Sequence, residues 1–318
     1  MTEIGFTLSS EEHHPNDLVE YATRAEAIGF DFLSISDHFH PWISAQGDAP
    51  FVWSTLGGVA AATDEIDVGV GVSAPIVRIH PAIYAQAAAT TAAMFDDRQF
   101  FAGVGTGELL NEHVLGDRWP EHEVRLEMLE EAVAVIDKLW TGQEVSHRGE
   151  HYTVENAKLF TLPEERPPIC VSAYGERAAK AAADFGDGFW SVGPQDVVET
   201  WEQHGGEGPR FCQLQACVAD SKDGAVSTAH EQWPIAGLKG ELNSVLPTPK
   251  HFEQAAQMVS EEDIAESSII TGPDAQQHID AIQEAIDTGY DHVYVMQIGD
   301  DQDALLEMYR EEVLPSFS

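Results

Sequence analysis

"FFAGVGTGELLNE", residues 100–112, holds a short aromatic and aliphatic run, three glycines at alternate positions and a carboxylate. A dinucleotide fingerprint would read GxGxxG, would open a helix, and would be followed about twenty residues later by an acid ending a second strand. Here the spacing is GxGxG. The region twenty residues on lies inside "PEHEVRLEMLEEAVAVIDKLW", residues 120–140, an amphipathic helix. Gly103, Gly105 and Gly107 are therefore not a phosphate cradle. The stretch predicts a strand that ends in bare backbone and Thr106 next to Glu108, where a flat ligand can approach the glycines.

Working outward, short runs rich in β-branched residues recur, each followed by a segment of helical period. Strands are expected near Ile4 to Leu8, Phe32 to Ser36, Ile66 to Val72, Gln99 to Val104, Ile169 to Ser172, Phe189 to Val192, Phe211 to Val218 and His292 to Gln297. The helix "PNDLVEYATRAEAIG" has Pro15 at its start and Gly29 past its end. The helix from Pro120 puts Leu129, Ala132, Val133, Ile136, Leu139 and Trp140 on one face, and Gly142 stops it. Eight strands alternating with helices predict an α/β fold, a (β/α)8 TIM barrel, because parallel strands need crossover helices to cover the sheet. One domain over residues 1–318 is expected, with insertions at about 141–166 and 220–272. No repeat or linker marks a second domain.

The chain of 318 residues carries 55 acidic and 16 basic side chains, only six of them lysine, for a net charge of −39. Since 43% of it is hydrophobic, this is a packed protein in an acidic coat. Such a coat repels itself at low ionic strength and is screened within about 3 Å at 1 M salt, so adaptation to molar salt is expected. The acids are spread along the chain, and basic clusters for phosphate backbones are missing, so nucleic acid is not an expected partner. Cys170, Cys212 and Cys217 show no CxxC spacing, which points to a reducing cytoplasm. No run of 18 apolar residues and no basic, apolar leader is visible, so neither membrane nor export is expected.

In a barrel of this kind, reactive groups sit where strands end and βα loops begin. After the first strand, "SSEEHHP" offers Glu11. After the second, "SDHFHPW", residues 36–42, offers an acid, two histidines and an indole. Histidine exchanges protons near neutrality, and tryptophan gives a flat apolar wall with one donor. Asp37, His38 and His40 do not make a metal site, because neighbours on a turning segment point apart and no distant ligand pair completes them. After the third strand, "GVGVSAP" marks a bulge or a close backbone approach. After the fifth, "SAYGERAAK" places Gly175 at a helix N-terminus that suits an anion.

Together and in this order, "SDHFHPW", "GVGTGELLNE" and "FGDGFW" resemble the luciferase-like superfamily of barrels, and within it the coenzyme F420-dependent glucose-6-phosphate dehydrogenase group. The resemblance runs from about Ile4 to Val192 and returns at the C-terminal strand and helix. It implies an F420-dependent dehydrogenase acting on CH–OH groups, with a deazaflavin at the barrel mouth that takes a hydride at C5. It implies that His38 takes the substrate hydroxyl proton, Glu108 protonates the reduced ring, Trp42 walls the substrate and Glu11 supports the polar network. Contacts to the cofactor are implied for Asp37, Gly71, Val72, Ala74, Thr106, Gly107, Asn111, Tyr174, Gly175, Arg177 and Ala178, with a cis peptide bond between Gly71 and Val72. A homodimer is usual for the group. Methylenetetrahydromethanopterin reductases and FMN-dependent monooxygenases share the barrel and remain alternatives.

One departure from the group's pattern bears on the substrate. Its sugar-phosphate enzymes grip phosphate with two lysines and an arginine. Here the first position reads Pro194 or Gln195, the last falls near Ser267, and Lys239 lies close to the middle one but out of register. A dianion in a partly dry pocket needs charge-assisted donors, so a neutral sugar or secondary alcohol is expected.

Overall fold

The structure is a computed structural model that describes residues 2–317. The chain begins with β1 (Glu3–Leu8), α1 (Pro15–Ile28), β2 (Phe32–Ile35), α2 (Val52–Ala62), β3 (Asp67–Ser73) and α3 (Pro81–Phe95). It continues with β4 (Phe100–Val104), the short α4 (Leu109–Glu112), α5 (His122–Trp140) and a hairpin of β5 (Val145–Arg148) and β6 (Thr153–Ala157). Then come β7 (Ile169–Ser172), α6 (Glu176–Phe185), β8 (Gly188–Val192), α7 (Val197–Gln203) and β9 (Arg210–Cys217). Helices α8 (Lys222–Gln232), α9 (Leu242–Val245), α10 (Pro249–Ala256) and α11 (Glu261–Ala265) follow, with the two-residue β10 (Ile270–Thr271). The chain closes with α12 (Ala275–Thr288), β11 (His292–Gln297) and α13 (Gln302–Met308).

The parallel ring runs β9–β11–β1–β2–β3–β4–β7–β8, and β8 returns to β9 to close it. This is the (β/α)8 barrel expected from the alternation. Both insertions have structure of their own. The first is the antiparallel hairpin β5–β6. The second carries α8 to α11 and β10, which pairs with the end of β9 where β8 has stopped, at Ile270 beside Ala216.

Local chemistry explains the helix boundaries. In α1 the His14 side chain accepts from the Asn16 amide, Pro15 fits the first turn, and Gly29 at φ 98° turns the chain out. In α5 the face of Leu129, Ala132, Val133, Ile136, Leu139 and Trp140 is buried. Each such large aliphatic contributes about 1.5–3 kcal/mol when taken from water.

A few large rings fill the barrel interior, and glycines make room for them. Trp190 stacks on Phe211 at 4.0 Å, and its indole N–H donates to the Tyr294 hydroxyl at 2.5 Å. A Cβ on Gly69 or Gly71 would meet Trp190 at 2.8 or 2.6 Å. Gly69 and Gly71 of "GVGVSAP" therefore face an indole of the protein's own core, and the close approach expected at this stretch is to Trp190.

At the lower end, aspartates at or just before the start of a strand accept amide N–H groups at the start of its neighbour. Asp31 takes Ile4, Asp67 takes Gln99, Asp187 takes Ile169 and Asp291 takes the Arg210 amide, all within 2.7–2.8 Å. His292 closes this end, 2.6 Å from Asp291 and 3.2 Å from Glu3, with its ring against Phe32, Phe101 and Phe211.

Candidate active site

The opposite, C-terminal end opens into a cleft of about 1090 Å³. Glu11, Asp37, His38, Trp42, Gly71, Val72, Ala74, Thr106, Gly107, Glu108, Asn111, Tyr174, Gly175, Arg177 and Ala178 all line it. They come from the ends of β1, β2, β3, β4 and β7, so separate strands converge on one space.

The wall after β1 and β2 holds a histidine–carboxylate pair. His38 Nδ1 lies 3.1 Å from the His40 carbonyl, and a carbonyl only accepts, so that nitrogen carries hydrogen. Nε2 lies 3.3 Å from Glu11 Oε1. Glu11 is buried and its Oε2 accepts from the Ser36 hydroxyl at 2.6 Å. Trp42 lies against the His38 ring at 5.0 Å and is held edge-on by Phe252 of α10.

Asp37 turns away from this pair. Its carboxylate accepts from the Ser73 hydroxyl at 2.6 Å and from Arg78 at 2.9 Å. His40 is pinned to the Leu110 carbonyl at 3.0 Å and stacks on His113. Asp37, His38 and His40 thus have three different sets of partners, and no group of three or more potential metal ligands occurs among the described residues.

In the wall after β3 and β4, the peptide bond between Gly71 and Val72 is cis, and the pairing of β3 with β4 shifts between Val70 and Ser73. A Cβ on Gly103 would sit 1.9 Å from the Val70 carbonyl oxygen, and one on Gly105 would sit 2.9 Å from Val72. These two glycines therefore admit the β3 bulge, which in turn presents Val72 and Ala74 to the cleft. Gly107, at φ 67°, turns the chain into Glu108.

Asn111 ties the two walls together. Its side-chain oxygen accepts from the amides of Phe39 and His40 at 2.9 and 3.3 Å, and its NH2 lies 3.4 Å from Glu108 Oε2. The loop carrying His38 and the turn carrying Glu108 are thus set by one buried amide.

Several contributors were not singled out from the sequence. Arg78 joins Asp37 to Glu112, whose carboxylate also accepts the Arg78 amide at 2.7 Å. Burial, only partly offset by Arg78, pushes the Glu112 pKa up to about 7. An arginine inside the apolar "PIVRIH" was the available signal, since a lone cation in such a run implies a buried partner. Arg125 donates to the Thr106 and Pro120 carbonyls and lies over Trp119 at 4.1 Å. Burial lowers its pKa. Trp233, Ile235 and Val245 of the second insertion form a further wall, over a satellite core with Phe252 and Met296.

The donor set suits a planar redox ring with an anionic end. Val72 and Ala74 give an apolar strip, and a Cβ on Gly107 would crowd Ala74 at 2.9 Å. At the far side, Gly175 caps α6 without a side-chain hydrogen bond, so the first amides of that helix are available to an anion. Arg125 and Arg177 are the lysine or arginine side chains on the cleft wall among the described residues.

Residues 1–292 match the family model described as luciferase-like monooxygenase. The chain belongs to this family. It is 31% identical to an F420-dependent glucose-6-phosphate dehydrogenase of Microbacterium testaceum, covering 98% of this chain and 96% of that protein. It is 34% identical to one of Segniliparus rotundus, covering 98% and 97%. Among solved structures, an F420-dependent secondary alcohol dehydrogenase in complex with an F420-acetone adduct superposes with a TM-score of 0.91 at 29% identity, covering 100% and 99%. A coenzyme F420-dependent tetrahydromethanopterin reductase from Methanopyrus kandleri shares the fold, with a TM-score of 0.80 at 19% identity, covering 100% and 99%.

Proposed function

We propose that this luciferase-like protein is a coenzyme F420-dependent dehydrogenase that oxidises the CH–OH group of a neutral alcohol or sugar. The observation that carries the reading is one cleft with the His38–Glu11 pair on one wall and Glu108 on another, in a chain whose F420-dependent relatives match it end to end.

When bound, the deazaflavin supplies the hydride acceptor. The chain's residues handle the rest. Val72, Ala74 and Gly107 seat the ring, while the α6 amides from Gly175 with Arg177 and Ala178, and Tyr174 beside them, hold its anionic end. Thr106, Asn111 and Asp37 complete that surround. Glu108, on the cleft wall, would hold or release a proton for the bound ring. His38 Nε2 takes the substrate hydroxyl proton as the carbinol carbon loses hydride, and Glu11 stabilises the imidazolium that forms. Trp42 and Trp233 exclude water from the reacting carbon.

The substrate is unphosphorylated in this reading. Gln195 lines the cleft with its amide bonded to the Val192 carbonyl, and the Ser267 hydroxyl is bonded to Ile264. Neither position offers a cation to a phosphate. A reducing cytoplasm, high salt and a homodimer belong to the same reading. Three free, buried cysteines support the reducing compartment and the net charge of −39 supports high salt, while the homodimer is carried over from the resemblance alone. No helix among the described residues is long and apolar enough to cross a membrane.

The test is direct. The purified protein at molar salt should quench F420 fluorescence, and isopropanol or glucose should then bleach the F420 absorbance faster than glucose 6-phosphate. A preference for the phosphate ester would overturn the substrate class. Binding of FMN with no F420 turnover would overturn the dehydrogenase itself.

A further inference from the structure

Glu12 is a buried carboxylate that the chemistry above leaves unused. Its Oε1 accepts the Gly299 amide at 2.9 Å, and its Oε2 accepts the Ser9 hydroxyl at 3.0 Å. The same Ser9 hydroxyl lies 3.4 Å from Glu11 Oε2, and Glu11 Oε1 lies 3.3 Å from His38 Nε2. A chain of His38, Glu11, Ser9 and Glu12 thus runs inward from the cleft to the turn after β11. Glu11, Ser9 and Glu12 are all buried.

We infer that Glu12 is the proton reservoir of the active site, exchanging one proton per turnover with His38 through Ser9 and Glu11. This rests on the dehydrogenase reading. During oxidation the carbinol O–H bond breaks and its proton passes to His38 Nε2, while the carbinol C–H bond breaks and its two electrons leave as hydride to the deazaflavin. The imidazolium passes a proton to Glu11. Ser9 accepts that proton from Glu11 as it gives its own to Glu12, so one proton moves from substrate to Glu12 and Ser9 is restored. Reduction of a ketone runs the chain the other way. Between turnovers the proton returns along the same chain to His38 and leaves through the open cleft, since the other contact of Glu12 is the buried Gly299 amide.

The surroundings suit this role. The charges that act most on Glu12 are those of Glu11 on its own loop and Asp300 after β11, and the Cys217 thiol of β9 feels the Glu12 charge in turn. No cation is among them. Burial, with the Glu11 and Asp300 charges adding to it and the Gly299 and Ser9 hydrogen bonds opposing it, pushes the Glu12 pKa up to about 8. Glu12 therefore holds its proton at neutral pH and gives it up just above.

The experiment compares Glu12→Gln and Ser9→Ala with the native protein in two measurements. Infrared titration of the protein without cofactor should show a protonated carboxyl band that fades as pH rises through about 8; Glu12→Gln should lack it and Ser9→Ala should keep it. With F420 and isopropanol, native kcat should rise through the same pH range. Both variants should lose that rise and fall about tenfold in kcat at pH 9 with KM unchanged, less than the loss of a direct proton acceptor. A missing carboxyl band, or kcat profiles of both variants that superimpose on the native one, would overturn the inference. Absence of alcohol turnover by the native protein would refute the dehydrogenase reading, whereas the cofactor-free band would still report on Glu12.

Discussion

The two ends of the barrel hold similar side chains to opposite effect. At the lower end, Glu3 and Asp291 share His292, Asp291 also pairs with Arg210 at 2.9 Å, and phenylalanine rings seal the group from above. At the upper end, Glu11, Asp37, Glu108 and Glu112 line a cleft with Glu12 buried beside Glu11, and the cations are Arg78, paired with Asp37 and Glu112, and Arg125 and Arg177 on the cleft wall. Matched charges at the bottom fix the histidine in one form. At the top, burial outweighs the hydrogen bonds to Glu12 and the Arg78 pairing of Glu112, and pushes their pKa values up to about 8 and about 7. One scaffold thus separates holding charge from moving it.

The comparison breaks first at His38. Replacing it with alanine should lower kcat roughly a hundredfold to ten-thousandfold and leave thermal unfolding unchanged; a parallel loss of Tm would assign it a structural role instead. Arg78→Ala should instead act on stability, by about 3–5 kcal/mol, because Asp37 and Glu112 would be left buried without a cation. Denaturant titration reads this, and a midpoint near that of the native protein would show that the upper carboxylates do not need the arginine.

Smaller effects sharpen the contrast. Gly103→Ala should cost about 1–3 kcal/mol or more by forcing the β3 bulge outward, with F420 affinity falling alongside in a fluorescence titration. At the bottom, burial works against the His292 charge, but Asp291 and Glu3 outweigh it and raise its pKa to about 9. Because the folded value lies above the unfolded one, this stabilisation is complete below about pH 6.5 and fades as pH rises through about 9. Its size is about 3 kcal/mol. His292→Gln should flatten the fall in stability across that window without changing kcat, and an unchanged pH curve would show that the lower network is idle.

Fold and site were legible to different depths. The eight barrel strands stand out because β-branched runs and helical periods are local signals, and the structure places each within about two residues of its expected bounds. The strand-end rule then led to Glu11, His38, Trp42 and Glu108, which line one cleft. Glu12 was passed over beside Glu11, since burial from the Gly299 turn is invisible in a run of acids. Arg78, Arg125 and Glu112 owe their roles to contacts across the barrel mouth. Trp233 and Ile235 sit in the second insertion, whose short helices lack a repeating pattern. The glycines of β3 and β4 look alike in sequence, yet Gly69 admits an indole and Gly103 a carbonyl.

That last contact couples two stretches about thirty residues apart in the sequence. Because the Val70 carbonyl occupies the place where a methyl group on residue 103 would be, the third and fourth βα units are exchangeable between related barrels only as a matched pair. A chimera that imports one without the other inherits a collision in its floor, and modular recombination of this enzyme should therefore cut on either side of both.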